Sequence, residues 1–224
     1  MRAALNGSVA FGALESQVLE SHARRQLRWD PLQAARVVTT PRALGVFTTP
    51  PMGVLAFMAI PVTTAPEDPV DTVVALSALA DCLHLAVEGE LNLYALPQVD
   101  VSPGSIPSVL HLPPDDGWHM PLHAVARDLV PSVNEAVAEF SARTAGMSEF
   151  AQQTVAEEIW SRPGWGGLTM RVLHAAHRLG LLPEDMSRVS AAANGPWRRF
   201  STVRGQVFTY DRGPAARLAL HVVK

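Results

Sequence analysis

The stretch LGVFTTPPMGVLAFMAIPV, Leu44 to Val62, decides how the chain is read. Two runs rich in apolar, β-branched and aromatic residues flank Pro50-Pro51-Met52-Gly53. Proline and glycine there mark a reversal rather than a continuing element. With VVTT in front and a break at Pro41, residues 37–62 read as a three-strand meander. Its last strand, VLAFMAIPV, is apolar on both faces, the pattern of a central strand covered on each side. Near the other end, QVFTYDRGPAARLALHVV, Gln206 to Val223, echoes it. Val46-Phe47-Thr48 matches Val207-Phe208-Thr209, Gly53 matches Gly213, Ile60 matches Leu220, and Arg42 and Arg204 fall at the first turn of each. With RRFSTV in front, residues 198–223 read as a second meander. In its last strand Leu218, Leu220 and Val222 alternate with Arg217, Ala219 and His221, which leaves one face to solvent.

The segments between carry the helical period. Residues 13–28 predict a helix with Leu14, Val18 and Leu19 on its apolar face. A second helix is expected from Pro69, capped by Asp68 and ended by Gly89, followed by a strand in LNLYAL. Residues 97–121 are rich in proline and glycine, with a strand in SVLHL. Leu122 to Ala145 predicts a helix that Pro131 should kink or split. Gly146 stops it, Ser148 caps another to about Ser161, and Leu168 to Leu182 gives a fifth. The expected fold is therefore α+β: a largely antiparallel sheet built from two meanders, packed with four to five helices. If the echo is a true repeat, the fold has an internal pseudo-twofold. A division at residues 1–146 and 147–224 fits, as does one continuous domain.

At 224 residues and 48% hydrophobic content the chain can bury a full core. Its single cysteine, Cys82, cannot close an internal disulfide. No apolar run reaches the roughly 18 residues that span a bilayer, and MRAALNGSVAFGALES lacks the apolar stretch of a leader. A cytoplasmic protein without membrane contact is the expectation. The net charge of −3 hides a segregation. Residues 1–40 hold five arginines and three acids, a net of +2; residues 41–161 hold three arginines and fifteen acids, −12; residues 162–224 hold ten basic residues and three acids, +7. Such asymmetry implies pairing between the two parts or an anionic partner for the basic end.

Two constellations carry chemistry. His111, Asp115, Asp116, His119 and His123 fall within thirteen residues and are ligand types that zinc and related divalent ions use, although PPDDGW is also good turn chemistry. His174 and His177, with Glu157 or Glu158 from the preceding helix, offer a weaker bundle-type set. Nucleophilic catalysis finds no G-x-S-x-G, phosphate binding finds no P-loop or G-x-G-x-x-G, and Cys82 sits beside an apolar stripe. The second constellation is basic: Arg171, Arg178, Arg198, Arg199, Arg204 and Arg212. The order helix, helix, charged hairpin over residues 149–212, with LHAAHRLGLL ahead of PWRRFSTVRGQVFTYD, resembles winged-helix DNA-binding domains. That resemblance implies phosphate contacts by these arginines.

The leading expectation is a non-catalytic binding or regulatory protein that needs no cofactor and acts with itself as a homodimer, or with another protein. A DNA-binding regulator using residues 149–212 is the first alternative. A metal-dependent enzyme centred on residues 111–123 is the second.

Overall fold

The computed structural model describes residues 7–86, 89–102, 104 and 106–211. Along the chain run β1 (Ser8–Ala10), α1 (Ala13–Leu27), β2 (Ala34–Thr39), β3 (Ala43–Thr48), β4 (Leu55–Pro61), β5 (Asp71–Ala75), α2 (Leu76–Leu85) and β6 (Glu90–Asn92). They are followed by β7 (His119–Val125), α3 (Ala126–Thr144), α4 (Glu149–Trp160), α5 (Met170–Arg178), β8 (Arg188–Asn194), β9 (Trp197–Thr202) and β10 (Gly205–Tyr210). The α+β class holds. One eight-stranded sheet has the order β5-β2-β3-β4-β10-β9-β8-β7, every neighbouring pair antiparallel, while β1 pairs with β6 apart from it.

The order reads alike from both ends. Each half is a three-strand meander with a fourth strand beside its first member, and the meanders meet through their last strands. The first meander lies where the sequence places it. The second is displaced by one strand: it begins with β8, in a stretch that reads as polar, and ends with β10. The strand expected in residues 216–223 lies outside the described residues, as do Gly213 and Leu220 of the echo. The V-F-T echo falls on β3 and β10, which the strand order does not make equivalent. The symmetry lives in the topology, and the matching tripeptides do not mark it.

Alternation along the strands fills two layers. Val37, Leu44, Val46, Ala56, Val189, Phe200 and Val207 form one buried cluster with Leu19, Leu79, Val133 and Leu173 of the helices. On the other face Leu55, Trp197 and Phe208, with Phe47 and Phe57, pack beneath Val101, Val109, Leu110 and Trp118. The proline-rich stretch is thus the cover of the second face. VLAFMAIPV is apolar on both faces, and its first half is covered on both, while Ala59 and Pro61 are exposed.

Two helices start later than their periodicity suggests. Asp68 and Pro69 cap nothing; Asp71–Ala75 is strand β5, paired with β2, and runs straight into α2. The β-branched run Thr72-Val73-Val74 favours the sheet once a partner strand is beside it. Likewise β7 takes up Leu122 and Val125 before α3 begins. Pro131 neither splits nor ends α3: it stands early in the helix, where the carbonyl it deprives belongs to the first turn. LNLYAL contributes three-residue β6 and then a 3-10 turn, and SVLHL is a turn closed by a bridge between Ser108 and His111. Gly146 and the Ser148 cap fall as expected. Among the described residues no helix is long and apolar enough to cross a membrane.

The halves join over three residue pairs only, Leu55 to Phe57 with Phe208 to Gln206. Gly205 lies at the edge of this junction, with φ at +153°, and a Cβ there would stand 2.5 Å from the Phe57 carbonyl oxygen. Gly205→Ala is expected to cost roughly 1–3 kcal/mol of unfolding free energy, since a backbone atom has to yield. Urea denaturation measures this, and an unchanged midpoint would show that the junction tolerates wider spacing.

Candidate functional site

The segregated charge is partly resolved within the chain. Arg162 binds Glu139 and Glu158, Arg143 binds the same two carboxylates, and Arg171 binds Glu157. The hydrogen bonds of Arg162 and then Arg143 hold Glu139 at about 2, and those of Arg143 and then Arg162 do the same for Glu158. Single exposed pairs contribute little, but this network ties α3 to α4. The acidic middle therefore meets the first part of the basic segment.

The arginines selected from sequence stand on different elements, and most are engaged by the chain's own groups. Arg198 and Arg199 are neighbours on β9 and so point to opposite faces. Arg198 donates to the carbonyls of Gly195 (2.7 Å) and Trp197 (3.0 Å). Arg199 lies over the Trp118 ring at 4.3 Å; burial lowers its pKa, and its Nε has no hydrogen-bond partner. Arg171 also reaches the Met52 carbonyl (3.4 Å), Arg178 lies over Trp29 (5.8 Å), and Arg204 donates to the Gly180 carbonyl (3.4 Å). Arg212 is outside the described residues. The expected wing hairpin, Pro196 to Asp211, is β9 and β10; both are interior strands, β9 paired with β8 and β10, and β10 with β9 and β4, so it does not project as a free hairpin. The preceding helix, α5, buries Val172, Leu173, Ala175 and Ala176.

The residues of the expected metal cluster are placed on a turn and on β7. His111 shares a hydrogen bond with Ser108 Oγ (3.2 Å), and Asp115 and Asp116 are exposed in a turn. His119 and His123 stand four residues apart on β7, ~13 Å along a strand. Among the described residues no three His, Cys, Asp or Glu side chains form a metal-holding group. The weaker set also disperses, because Glu157 and Glu158 are bound to arginines. His174 stacks on Trp160 at 4.0 Å with the rings 3° from parallel; desolvation, then Arg178, holds it at about 4.

What periodicity misses lies on α1. The helix buries Ser16, Leu19, His22, Ala23 and Gln26, while Leu14 and Val18, expected on its core face, are exposed. They line a groove of about 520 Å3, together with β4, the α5–β8 link and the β9–β10 turn. The signal available in the sequence was Ser16, His22 and Gln26 in helical register, which reads as a solvent face. Beneath them, Gln26 Nε2 and His22 Nε2 share a hydrogen bond (2.9 Å), and Gln33 Nε2 donates to Gln26 Oε1 (3.1 Å).

Comparison with known proteins fits this geometry. Residues 10–102 match a family described as Domain of unknown function (DUF8010), and residues 113–214 one described as Domain of unknown function (DUF8185). No curated protein matches the chain. A DNA polymerase sliding clamp from Pseudomonas aeruginosa superposes with a TM-score of 0.57 at 10% identity, over 96% of this chain and 67% of that one. The DNA polymerase III beta subunit of Thermotoga maritima gives 0.53 at 9%, over 96% and 68%. The Caulobacter crescentus sliding clamp gives 0.55 at 9%, over 96% and 69%. The chain has the sliding-clamp fold. It spans about two thirds of the length of these clamps.

Desolvation, with the Arg25 charge added and the Leu179 backbone opposing, lowers the buried His22 from 6.5 to about 4. A base whose folded pKa is lowered stabilises the fold fully above its unfolded pKa and loses that contribution as pH falls toward the folded value. Stability should therefore drop between pH 6.5 and 4, by about 3 kcal/mol for His22, with His174 adding in the same window. Urea midpoints across this range should fall less steeply in His22→Gln; equal slopes would remove the assignment.

Proposed function

We propose that the chain is a non-catalytic binding protein of the cytoplasm that works as an assembly of identical copies, joined by continuing the sheet from one copy to the next. The observation that supports this most directly is the outer edge of β7. Among the described residues β7 pairs with β8 alone. The other end of the sheet is partly covered: Val74 bridges Gln98, and backbone hydrogen bonds join Ala75 to Pro97 (3.3 Å) and Val99 to Val73 (3.1 Å). An uncovered antiparallel edge is a template for a twofold-related copy. Leu122 on β7 is 51% exposed, beside a break in register toward His119. Pairing would thus use Leu122 to Val125. Solved chains of the same fold are described as DNA polymerase subunits, which supports a role within an assembly.

Light scattering at low and high salt tests this reading. The expected result is a dimer or larger species that Leu122→Asp weakens at least tenfold; a wild-type monomer at both salts would overturn it.

A second reading, contact with nucleic acid, is favoured by Arg25, Arg28, Arg178 and Arg204. Among the described residues none of the four has a carboxylate within 4.0 Å, unlike Arg143, Arg162 and Arg171. Arg25 and Arg204 both reach Gly180, while Arg178 lies over Trp29. Duplex DNA should then bind at low salt, and Arg28→Ala with Arg178→Ala should lower the salt slope by about 2. Absence of binding at low salt would discard it.

A further inference from the structure

Helix α1 is turned the unexpected way round. Two aliphatic residues that could have joined the core stand in solvent, Leu14 at 68% and Val18 at 46% exposure, while Ser16, His22 and Gln26 take the buried positions. The buried polar groups need partners and mostly have them: Ser16 Oγ donates to the Leu83 carbonyl (3.0 Å), and His22, Gln26 and Gln33 are linked. Only His22 Nδ1, at the groove, and Gln33 Oε1 lack a hydrogen bond of normal geometry in this set. The fold thus supports a polar core face under α1 and leaves an apolar one outside.

The groove beside that face has three further features. Its opposite wall carries Val203, 71% exposed, on the β9–β10 turn. Its floor is Met58–Pro61 of β4. Because β10 pairs with β4 only up to Phe57, these four residues are, among the described residues, paired to β3 on one side and to no strand on the other. Arg25 and Arg204 stand together near Gly180; among the described residues neither has a carboxylate within 4.0 Å, though Arg204 acts on Asp185 from farther away, and Glu15 is also in the lining.

We propose that this groove binds an extended peptide segment of a partner protein. The segment adds as a short strand along Met58–Pro61, sets alternate aliphatic side chains against Leu14, Val18 and Val203, and places a carboxylate against Arg25 and Arg204. Main-chain pairing supplies affinity in such additions, and the flanking pockets supply selectivity. Residues 212–224 contain Arg212, Arg217 and Lys224 and no acid, so they do not supply the carboxylate of such a segment. Apolar walls and a strand edge also suit a peptide better than a phosphate backbone.

The probe is a fluorescein-labelled peptide of alternating valine and threonine ending in two aspartates, titrated against the full chain by anisotropy, with a twin ending in two lysines. The aspartate peptide should bind at least tenfold more tightly than the lysine peptide. Val18→Glu, at an exposed position, should weaken it at least tenfold with the thermal midpoint unchanged. Arg204→Glu should reverse the preference between the two peptides. The proposal is overturned if the aspartate peptide fails to bind at millimolar concentration, if both peptides bind equally, or if Val18→Glu has no effect. Stronger competition by duplex DNA, or by a peptide copying residues 212–224, would overturn it too. Light scattering of the same samples separates the two ideas: a monomer that binds the peptide removes the assembly reading and leaves this one standing.

Discussion

Three residue pairs between β4 and β10 hold the two halves of the sheet together, and most of the structure depends on them. A ladder so short is weak by itself, but it is buried from both sides. Ala56 and Val207 face the helices, and Leu55 and Phe208 face the proline-rich cover. Each layer therefore clamps the junction by packing that the hydrogen bonds alone would not provide. Gly205 allows the close approach at its edge. Since β10 begins there, Met58–Pro61 of β4 have, among the described residues, a strand neighbour on one side only, so the geometry that fuses the halves also leaves that edge beside the groove.

Charge follows the same division between what is satisfied inside and what is left over. A net of −12 in the middle of the chain and +7 at its end could have meant two separate surfaces. The fold instead sets Arg162 and Arg171 against acids of α3 and α4, with Arg143 completing the network. The two arginines near Gly180 are outside it, contributed by segments far apart in sequence, α1 and the β9–β10 turn. A basic surface assembled in that way does not show as a run of basic residues.

The first meander was legible because its turn chemistry and its period of two agree. The stop at Gly146 and the cap at Ser148 were legible for the same kind of reason. Strands β5 and β7 were not, because each passes into its helix without a breaking residue: Ala75 is followed by Leu76 and Val125 by Ala126, with apolar residues continuing throughout. Only a neighbouring strand decides between the two conformations, and that neighbour is remote in sequence. Strand β8, with Ser190 and three alanines, carries too little bulk to announce itself, yet it is held between two partners. The histidine and aspartate cluster around residues 111–123 was dense in sequence but stretched in space, since a strand separates what a helix would have gathered.

Helix α1 shows why the groove was hidden. A helical stripe of apolar residues is usually assigned to the core, because exposing an aliphatic side chain forfeits roughly 1–2 kcal/mol. That assignment assumes the core is the only apolar environment on offer. Here the buried side is built from alanine, leucine and a hydrogen-bonded set of polar residues, whose desolvation is offset by the bonds among His22, Gln26 and Gln33. With most of the polar set satisfied internally, it can be buried, and Leu14 and Val18 are released from the core. The amphipathic pattern is real, but its apolar side faces outward, beside the β4 edge and the arginines near Gly180.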